Sequence, residues 1–564
     1  MSFNQYSYIR PDMDHVKRNF MTHLKAFKQA TSWTAHNEAM MQINSIRNEF
    51  DTMLNLCFIR HSINTEDDFY QKEQDYMDEI QPIMEDLITR FYQELVSSRF
   101  RSELEERWGS QLFRLAEMKL KTFSIDIIPL LQKENKLSSE YTKLIASAKI
   151  SFNGEELTLA QLQPFSQSAD REVRKNAFSA SAGFYAENEQ KLDELFDKLV
   201  KVRHEIATKL GYDSFVELGY YRMSRTDFSS EMVGKFREEV LHNIVPIVSS
   251  LKNRQAKRIE IDILKFYDEG YKYKTGNANP KGAPEWIIGN GRKMYDELSI
   301  ETSEFFNFMI QNDLMDLVAK KGKAGGGYCT YIENYKAPYI FSNFNGTSGD
   351  IDVLTHEAGH AFQVYSSRHF EIPEYNWPTY EACEIHSMSM EFITWPWMKL
   401  FFEEEVEKYK FSHLSEALQF LPYGVAVDEF QHFVYSYPDS TAQERKMAWR
   451  KIERKYLPHR DYDGQEYLEN GGFWHRQGHI FNSPFYYIDY TLAQVCAFQF
   501  WELAQNHQEQ VWEKYLELCK LGGSLSFTEL INKIDFLSPF EEGSMKKVIQ
   551  PVESWLSSVD DQKL

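Results

Sequence analysis

Thr355-His356-Glu357-Ala358-Gly359-His360-Ala361-Phe362 sets two histidines four residues apart with a glutamate directly after the first. On an α-helix that spacing projects both imidazoles from one face, one turn above the other, so both can reach one ion. Glu357 is rotated by about 100° from His356, since a helix turns once in 3.6 residues, and can reach a water on the metal without ligating it. The spacing predicts a helix carrying two metal ligands and a general base. A polar turn, Asn345-Gly346-Thr347-Ser348, precedes it, and Asp350 or Asp352 can cap the helix or complement its dipole.

Catalytic zinc usually keeps three protein ligands and one open position, so a third ligand is required. A histidine six residues after His360 would mark the metzincin arrangement, but that position is Ser366, and His369 lies beyond it. Thr379-Tyr380-Glu381-Ala382-Cys383-Glu384-Ile385-His386-Ser387-Met388-Ser389-Met390-Glu391 reads as a second helix, opened by Pro378 and Thr379. Glu384 and Glu391 share a face and Glu381 lies one turn before Glu384, so periodicity leaves all three open as the ligand. A ligating histidine normally gives its other ring N–H to a carboxylate or carbonyl, which makes Asp352 and Glu391 candidate partners of the metal-binding histidines.

Upstream, the composition shifts at Gly322-Lys323-Ala324-Gly325-Gly326-Gly327, and two runs, Tyr328 to Ile332 and Tyr339 to Phe344, read as adjacent strands. The glycine run lacks a Gly-Lys-Ser/Thr ending and no helical pattern follows, which argues against a phosphate loop. The second strand lies directly before the metal helix. If its edge is exposed it can pair with an extended peptide, which makes Phe341, Ser342, Asn343 and Phe344 candidate substrate-binding residues.

Most of the remaining chain has helical periodicity. Residues 1–150 read as an N-terminal helical lobe, with apolar positions recurring at three and four, and Asn153-Gly154 between short alternating runs signals a hairpin. Residues 151–564 read as a helical catalytic region with a small sheet, its helices restarted by capping boxes at Thr158–Gln161, Thr441–Glu444 and Ser526–Glu529. A chain of 564 residues exceeds the size at which one core stops growing, so two lobes around a cleft are expected. The net charge of −21 argues against nucleic acid as a partner, whose binding rests on Lys and Arg. No stretch approaches about 18 uninterrupted apolar residues, so no membrane span is expected. The five scattered cysteines include no CxxC pair, and a reducing cytoplasm is the expected location.

Near the C-terminus, Trp474-His475-Arg476-Gln477-Gly478-His479-Ile480-Phe481-Asn482-Ser483-Pro484-Phe485-Tyr486-Tyr487-Ile488-Asp489-Tyr490 gathers histidines and phenols around a glycine and a proline. Such a run packs a core or supplies hydrogen-bond donors to a developing oxyanion; tyrosine suits the second task because it stays protonated at pH 7.

His356 to His360 followed by Glu384-Ile385-His386-Ser387-Met388-Ser389-Met390-Glu391 resembles the thimet oligopeptidase family, above all its oligoendopeptidase F branch and the bacterial Pz-peptidases. The similarity runs from about Gly211 to Tyr490, whereas the first 150 residues match only in being helical. The resemblance implies Glu384, three residues before a serine, as the third ligand beside His356 and His360, holding one Zn2+. It also matches Tyr487 and Tyr490 to tyrosines that contact substrate and oxyanion, His479 to the histidine preceding them, and Glu391 to a later glutamate. Gln363 departs from the family, where many members carry histidine. The implied fold is mostly α, a two-lobed oligopeptidase zincin with a small β-sheet beside the metal helix and a deep substrate channel. The implied activity is a zinc-dependent endopeptidase cleaving short peptides, with Glu357 as base and Tyr490 steadying the oxyanion. Competing expectations are a zinc exopeptidase that reads a peptide terminus and a non-catalytic helical peptide-binding scaffold.

Overall fold

The computed structural model describes residues 1–564, apart from the side chain of Gln508. The N-terminal periodicity becomes long helices: α1 (Met13–Gln29), α2 (Trp33–Ile63), α3 (Asp68–Val96) and α4 (Ile128–Ala146). The Asp12 carboxylate caps α1 by accepting the N–H groups of Asp14 and His15, and Phe20, Leu24 and Phe27 form its buried stripe. That stripe joins Met84, Leu87, Phe91 and Leu95 of α3 in a hydrophobic cluster that ends at Ala116 and also takes in Ile372 and Tyr375. Helix α4 packs into the larger core instead, where Tyr141 stacks on Phe481 with ring centroids 4.0 Å apart.

The Asn-Gly turn is realised between β1 (Ile150–Phe152) and β2 (Glu155–Leu157), an antiparallel pair with Asn153 and Gly154 both at positive φ. The capping boxes at Thr158, Thr441 and Ser526 form as expected.

A second, three-stranded sheet stands beside the metal helix: β3 (Met315–Val318), β4 (Tyr328–Ile332) and β5 (Ala337–Phe344), in the order β3-β5-β4. Strand β5 is therefore the inner strand, parallel to β3 and antiparallel to β4. This corrects the expectation of an open β5 edge. Both sides of β5 are already paired, Phe341, Ser342 and Phe344 are buried, and the Asn343 amide donates to the carbonyls of Ala324 and Gly326, shaping the glycine run. The residue run that closes the second side, Met315-Asp316-Leu317-Val318, is too short to show a strand pattern of its own. The free edge belongs to β4.

Four further helices position the site: α5 (Gly349–Ser367), α6 (Tyr380–Ile393), α7 (Val406–Ser436) and α8 (Tyr487–Asn506). Asp350, in the first turn of α5, binds the turn before it: its carboxylate accepts the N–H groups of Asn345 and Gly346 at 2.9 and 2.8 Å. Every residue of α6 from Glu381 to Met390 is buried, so its charged side chains must find partners inside the protein. Helices α5 and α6 touch at Gly359, where a Cβ atom would stand 2.6 Å from the His386 carbonyl oxygen and 2.7 Å from Ser387 Cα. Among the described residues no helix is long and apolar enough to cross a membrane, and the five cysteines are free thiols.

Backbone cannot yield as a flexible side chain can, so Gly359→Ala must force α5 and α6 apart. The substitution is expected to cost about 1–3 kcal/mol, read as a lowered Tm in calorimetry; an unchanged Tm would show that the helices do not meet this closely.

Candidate active site

The helical spacing on α5 brings His356 and His360 to one face, and α6 presents Glu384 to it. Nε2 of each histidine lies 3.2 Å from Glu384 Oε2, and one donor atom from each of the three residues falls within 4.8 Å of the others. Glu384 is held from both sides: its Oε1 accepts the Tyr486 hydroxyl at 2.6 Å and its Oε2 the Ser387 hydroxyl at 2.7 Å. Burial opposes its charge, but His360 and His356 hold its carboxyl well below the ordinary carboxylate range. Of the other two carboxylates on α6, Glu381 accepts from Thr379 Oγ1 at 2.7 Å and Glu391 is engaged one layer out. Two imidazole nitrogens and one carboxylate oxygen converge, with His360 and Glu384 buried and His356 half-buried, and fit a zinc-type ion that keeps one position open.

Glu391 bridges two histidines, with Oε1 2.7 Å from His356 Nδ1 and Oε2 2.7 Å from His413 Nε2. The Trp395 indole, a donor only, gives its N–H to His413 Nδ1 at 2.9 Å. His413 therefore carries its proton on Nε2 and donates it to Glu391. By taking the Nδ1 proton side of His356, Glu391 leaves the Nε2 lone pair for a metal. Asp352 does not share this task. Its carboxylate accepts the Tyr409 hydroxyl at 2.6 Å, and burial pushes it up to about 6. Tyr409 in turn stacks on His413, so Asp352 braces the layer behind Glu391 rather than a ligand. No local spacing announces His413, which reaches Glu391 from α7, 22 residues further along the chain, or the role of Trp395, which acts on Glu391 only through His413.

Glu357 is buried, and its Oε2 has no hydrogen-bond partner among the described residues. Burial raises its carboxyl above the ordinary range, with His356 and His360 pulling the other way. It borders a cavity of about 540 Å³ whose lining includes His356, His360, Glu384, Gly327 and the first residues of β4, Tyr328 to Thr330. At Gly327 a Cβ atom would stand 3.2 Å from Glu357 Oε1 and 3.4 Å from the Phe341 carbonyl oxygen, so glycine keeps this carboxylate uncrowded.

The opposite wall carries the phenols. Tyr486, the helical-backbone cap just before α8, and Tyr490, four residues on in its first turn, both line the cavity, and Tyr490 Oη lies 3.1 Å from His479 Nε2. Tyr487 turns away, its ring packing at 5.6 Å from Phe420 and 5.7 Å from Tyr423. The structure thus sets Tyr486 where Tyr487 was expected. The signal was available, since positions i and i+4 of a helix share a face. The rotation of α8 is fixed by the turn before it. Phe485 adopts a φ of 68°, its N–H donates to Gln431 Oε1 at 2.7 Å, and its carbonyl accepts from Arg225. Arg225 also pairs with Asp489 at 2.8 Å, both fully buried. Gln363, the departure noted above, is a buried tie: its Nε2 donates to Ser367 Oγ and to the Asn376 carbonyl.

The chain is similar to known proteins in sequence and in fold. Residues 3–123 match the Peptidase M3 N-terminal domain, and residues 165–283 and 294–548 match Peptidase family M3. The structure superposes on that of Pz peptidase A with inhibitor 2 with a TM-score of 0.99 and 62% identity, covering all of both chains. Among curated proteins, oligopeptidase PepF of Bacillus subtilis is 22% identical over 474 residues, 77% of this chain and 68% of that one. The oligoendopeptidase F homolog of Borreliella burgdorferi is 24% identical over 417 residues, 70% of this chain and 68% of that one. The mostly helical fold with its small sheets is thus that of the oligopeptidases, and the chain belongs to peptidase family M3, a family of zinc metallopeptidases.

Proposed function

We propose that this metallo-oligopeptidase is a zinc-dependent endopeptidase of short peptides, with one Zn2+ held by His356, His360 and Glu384. The observation that carries this reading is the convergence of those three donors, within 4.8 Å of one another, beside a buried Glu357 oxygen with no partner among the described residues. A zinc ion bound there supplies Lewis acidity, polarising a carbonyl and making water a stronger acid. Glu357, raised by burial, takes the proton of the attacking water and passes it to the departing amine. Tyr490, whose hydroxyl burial keeps protonated, donates to the oxyanion, while Tyr486 holds Glu384. His479 supports Tyr490, and Tyr487 forms the wall behind it.

The substrate lies along the free edge of β4, in place of the β5 pairing expected from sequence. Gly327 to Thr330 border the cavity, and backbone pairing there holds a peptide whatever its side chains and needs no free terminus. This favours internal cleavage, as do the relatives named oligoendopeptidase. The helical lobe of residues 1–150 forms one side of a channel and residues 151–564 the other. In support, Tyr92, Leu115 and Lys119 line the same cavity, and a buried Arg47–Glu374 pair at 2.7 Å ties the two parts together. Free thiols and a net charge of −21 favour a reducing cytoplasm and peptide substrates rather than nucleic acid.

Glu357→Gln is expected to retain zinc by atomic absorption yet lose turnover by about 10³-fold, while Glu384→Ala loses the metal; full turnover in Glu357→Gln would remove it as the base. Cleavage of a good substrate should survive acetylation and amidation of its ends, and its loss would favour an exopeptidase. Glu391→Gln should weaken zinc binding or activity by about 10–100-fold. In the metal-free site Glu384 and Glu391 hold His356 protonated well above the usual histidine range, although burial opposes this. Zinc must displace that proton, so affinity should rise with pH, and calorimetry in buffers of different ionisation enthalpy should record proton release.

A further inference from the structure

A chain of four side chains runs from the interior to the cavity. The Tyr423 hydroxyl donates to Gln477 Oε1 at 2.8 Å, Gln477 Nε2 lies 3.0 Å from His479 Nδ1, and His479 Nε2 lies 3.1 Å from Tyr490 Oη. We infer that Gln477 is a positioning residue whose amide fixes the tautomer of His479, so that the Tyr490 hydroxyl proton is free to point into the cavity. This rests on Tyr490 being the oxyanion donor.

The protons along this chain are few enough to be placed one by one. Tyr423 has one proton, and it goes to the amide oxygen, which leaves the amide nitrogen facing His479. An amide nitrogen only donates, so Nδ1 must accept. Burial lowers His479 to about 4, and a neutral imidazole has a single N–H, here on Nε2. That N–H occupies a lone pair of Tyr490 Oη. The phenol's own proton is then directed away from His479. In the other tautomer Nε2 would accept the Tyr490 proton, and the hydroxyl would turn a lone pair toward any oxyanion, converting attraction into repulsion. His479 sits with its ring centroid 5.5 Å from that of Tyr490 and nearly perpendicular to it, which suits an in-plane N–H aimed at the phenol oxygen. Gln477 itself touches neither cavity nor metal ligands and acts through His479.

The test uses an acceptor of the same size. Gln477→Glu takes an N–H from Nδ1, reverses the tautomer and is expected to lower kcat by about 10²-fold, with KM nearly unchanged and zinc content retained. Gln477→Met, which leaves His479 free to adopt either tautomer, should fall between it and the parent. In a Tyr490→Phe background Gln477→Glu should cost nothing more, because there is no proton left to misdirect. An equal loss in both backgrounds would mean a structural role and overturn the inference. A readout independent of activity is nitrogen NMR of histidine-labelled, metal-free protein, with His479 assigned by its loss in His479→Asn. The inference requires a protonated Nε2 in the parent and a protonated Nδ1 in Gln477→Glu; a protonated Nδ1 in the parent refutes it. Wild-type kcat in Tyr490→Phe would instead refute the role of Tyr490 and, with it, the catalytic consequence drawn here, while the NMR result still decides the tautomer. Should Gln477→Glu fail to fold, Gln477→Met and the parent spectrum decide the matter.

Discussion

Everything in the site depends on how closely α5 and α6 approach each other at Gly359. With no side chain there, the carbonyl of His386 and the Cα of Ser387 can rest against the α5 backbone. That contact sets Glu384, half a turn from the point of touch, within 3.2 Å of both histidine nitrogens. A glycine between the second and third positions of the motif is therefore a distance constraint rather than a source of flexibility. It also explains why α6 can be buried on every side: its neighbour fits against it without an intervening layer of side chains.

Close packing of this kind leaves carboxylates away from water, and the protein answers with a graded set of partners. Glu384 has two hydroxyl donors as well as the histidines; Glu391 has two imidazoles; Asp352 has one phenol; Glu357 Oε2 has none among the described residues. The ordering follows function. Groups that must stay charged and still are saturated, and the group proposed to exchange a proton is left with spare capacity at the cavity.

What the sequence made legible was local. The α5 ligands, the α6 helix, the hairpin at Asn153-Gly154 and the three capping boxes each depend on spacings of a few residues, and all are present. What it hid depends on chain segments meeting from afar. Four residues, Met315 to Val318, pair with β5 and close an edge that looked open. His413 and Trp395 complete a bridge through Glu391 from another helix and a one-turn element. Asp352 faced the expected direction but found Tyr409 first. The case of Tyr486 and Tyr487 is different in kind, since helical phase relative to Tyr490 picks out Tyr486 as the residue that shares its face, and Tyr486 is the one that lines the cavity.

If peptides dock along the free edge of β4, as proposed, that mode of binding would also decide what the enzyme leaves alone. A chain docked there must give up several consecutive amide and carbonyl groups to the strand, and in a folded domain those groups are already committed to its own helices and sheets. Intact proteins would have to unravel locally before they could compete, whereas fragments shed by other proteases arrive with their backbones unclaimed. Discrimination between a cell's working proteins and its debris would then reside in the conformational freedom of the chain presented, with no lock required for any particular residue.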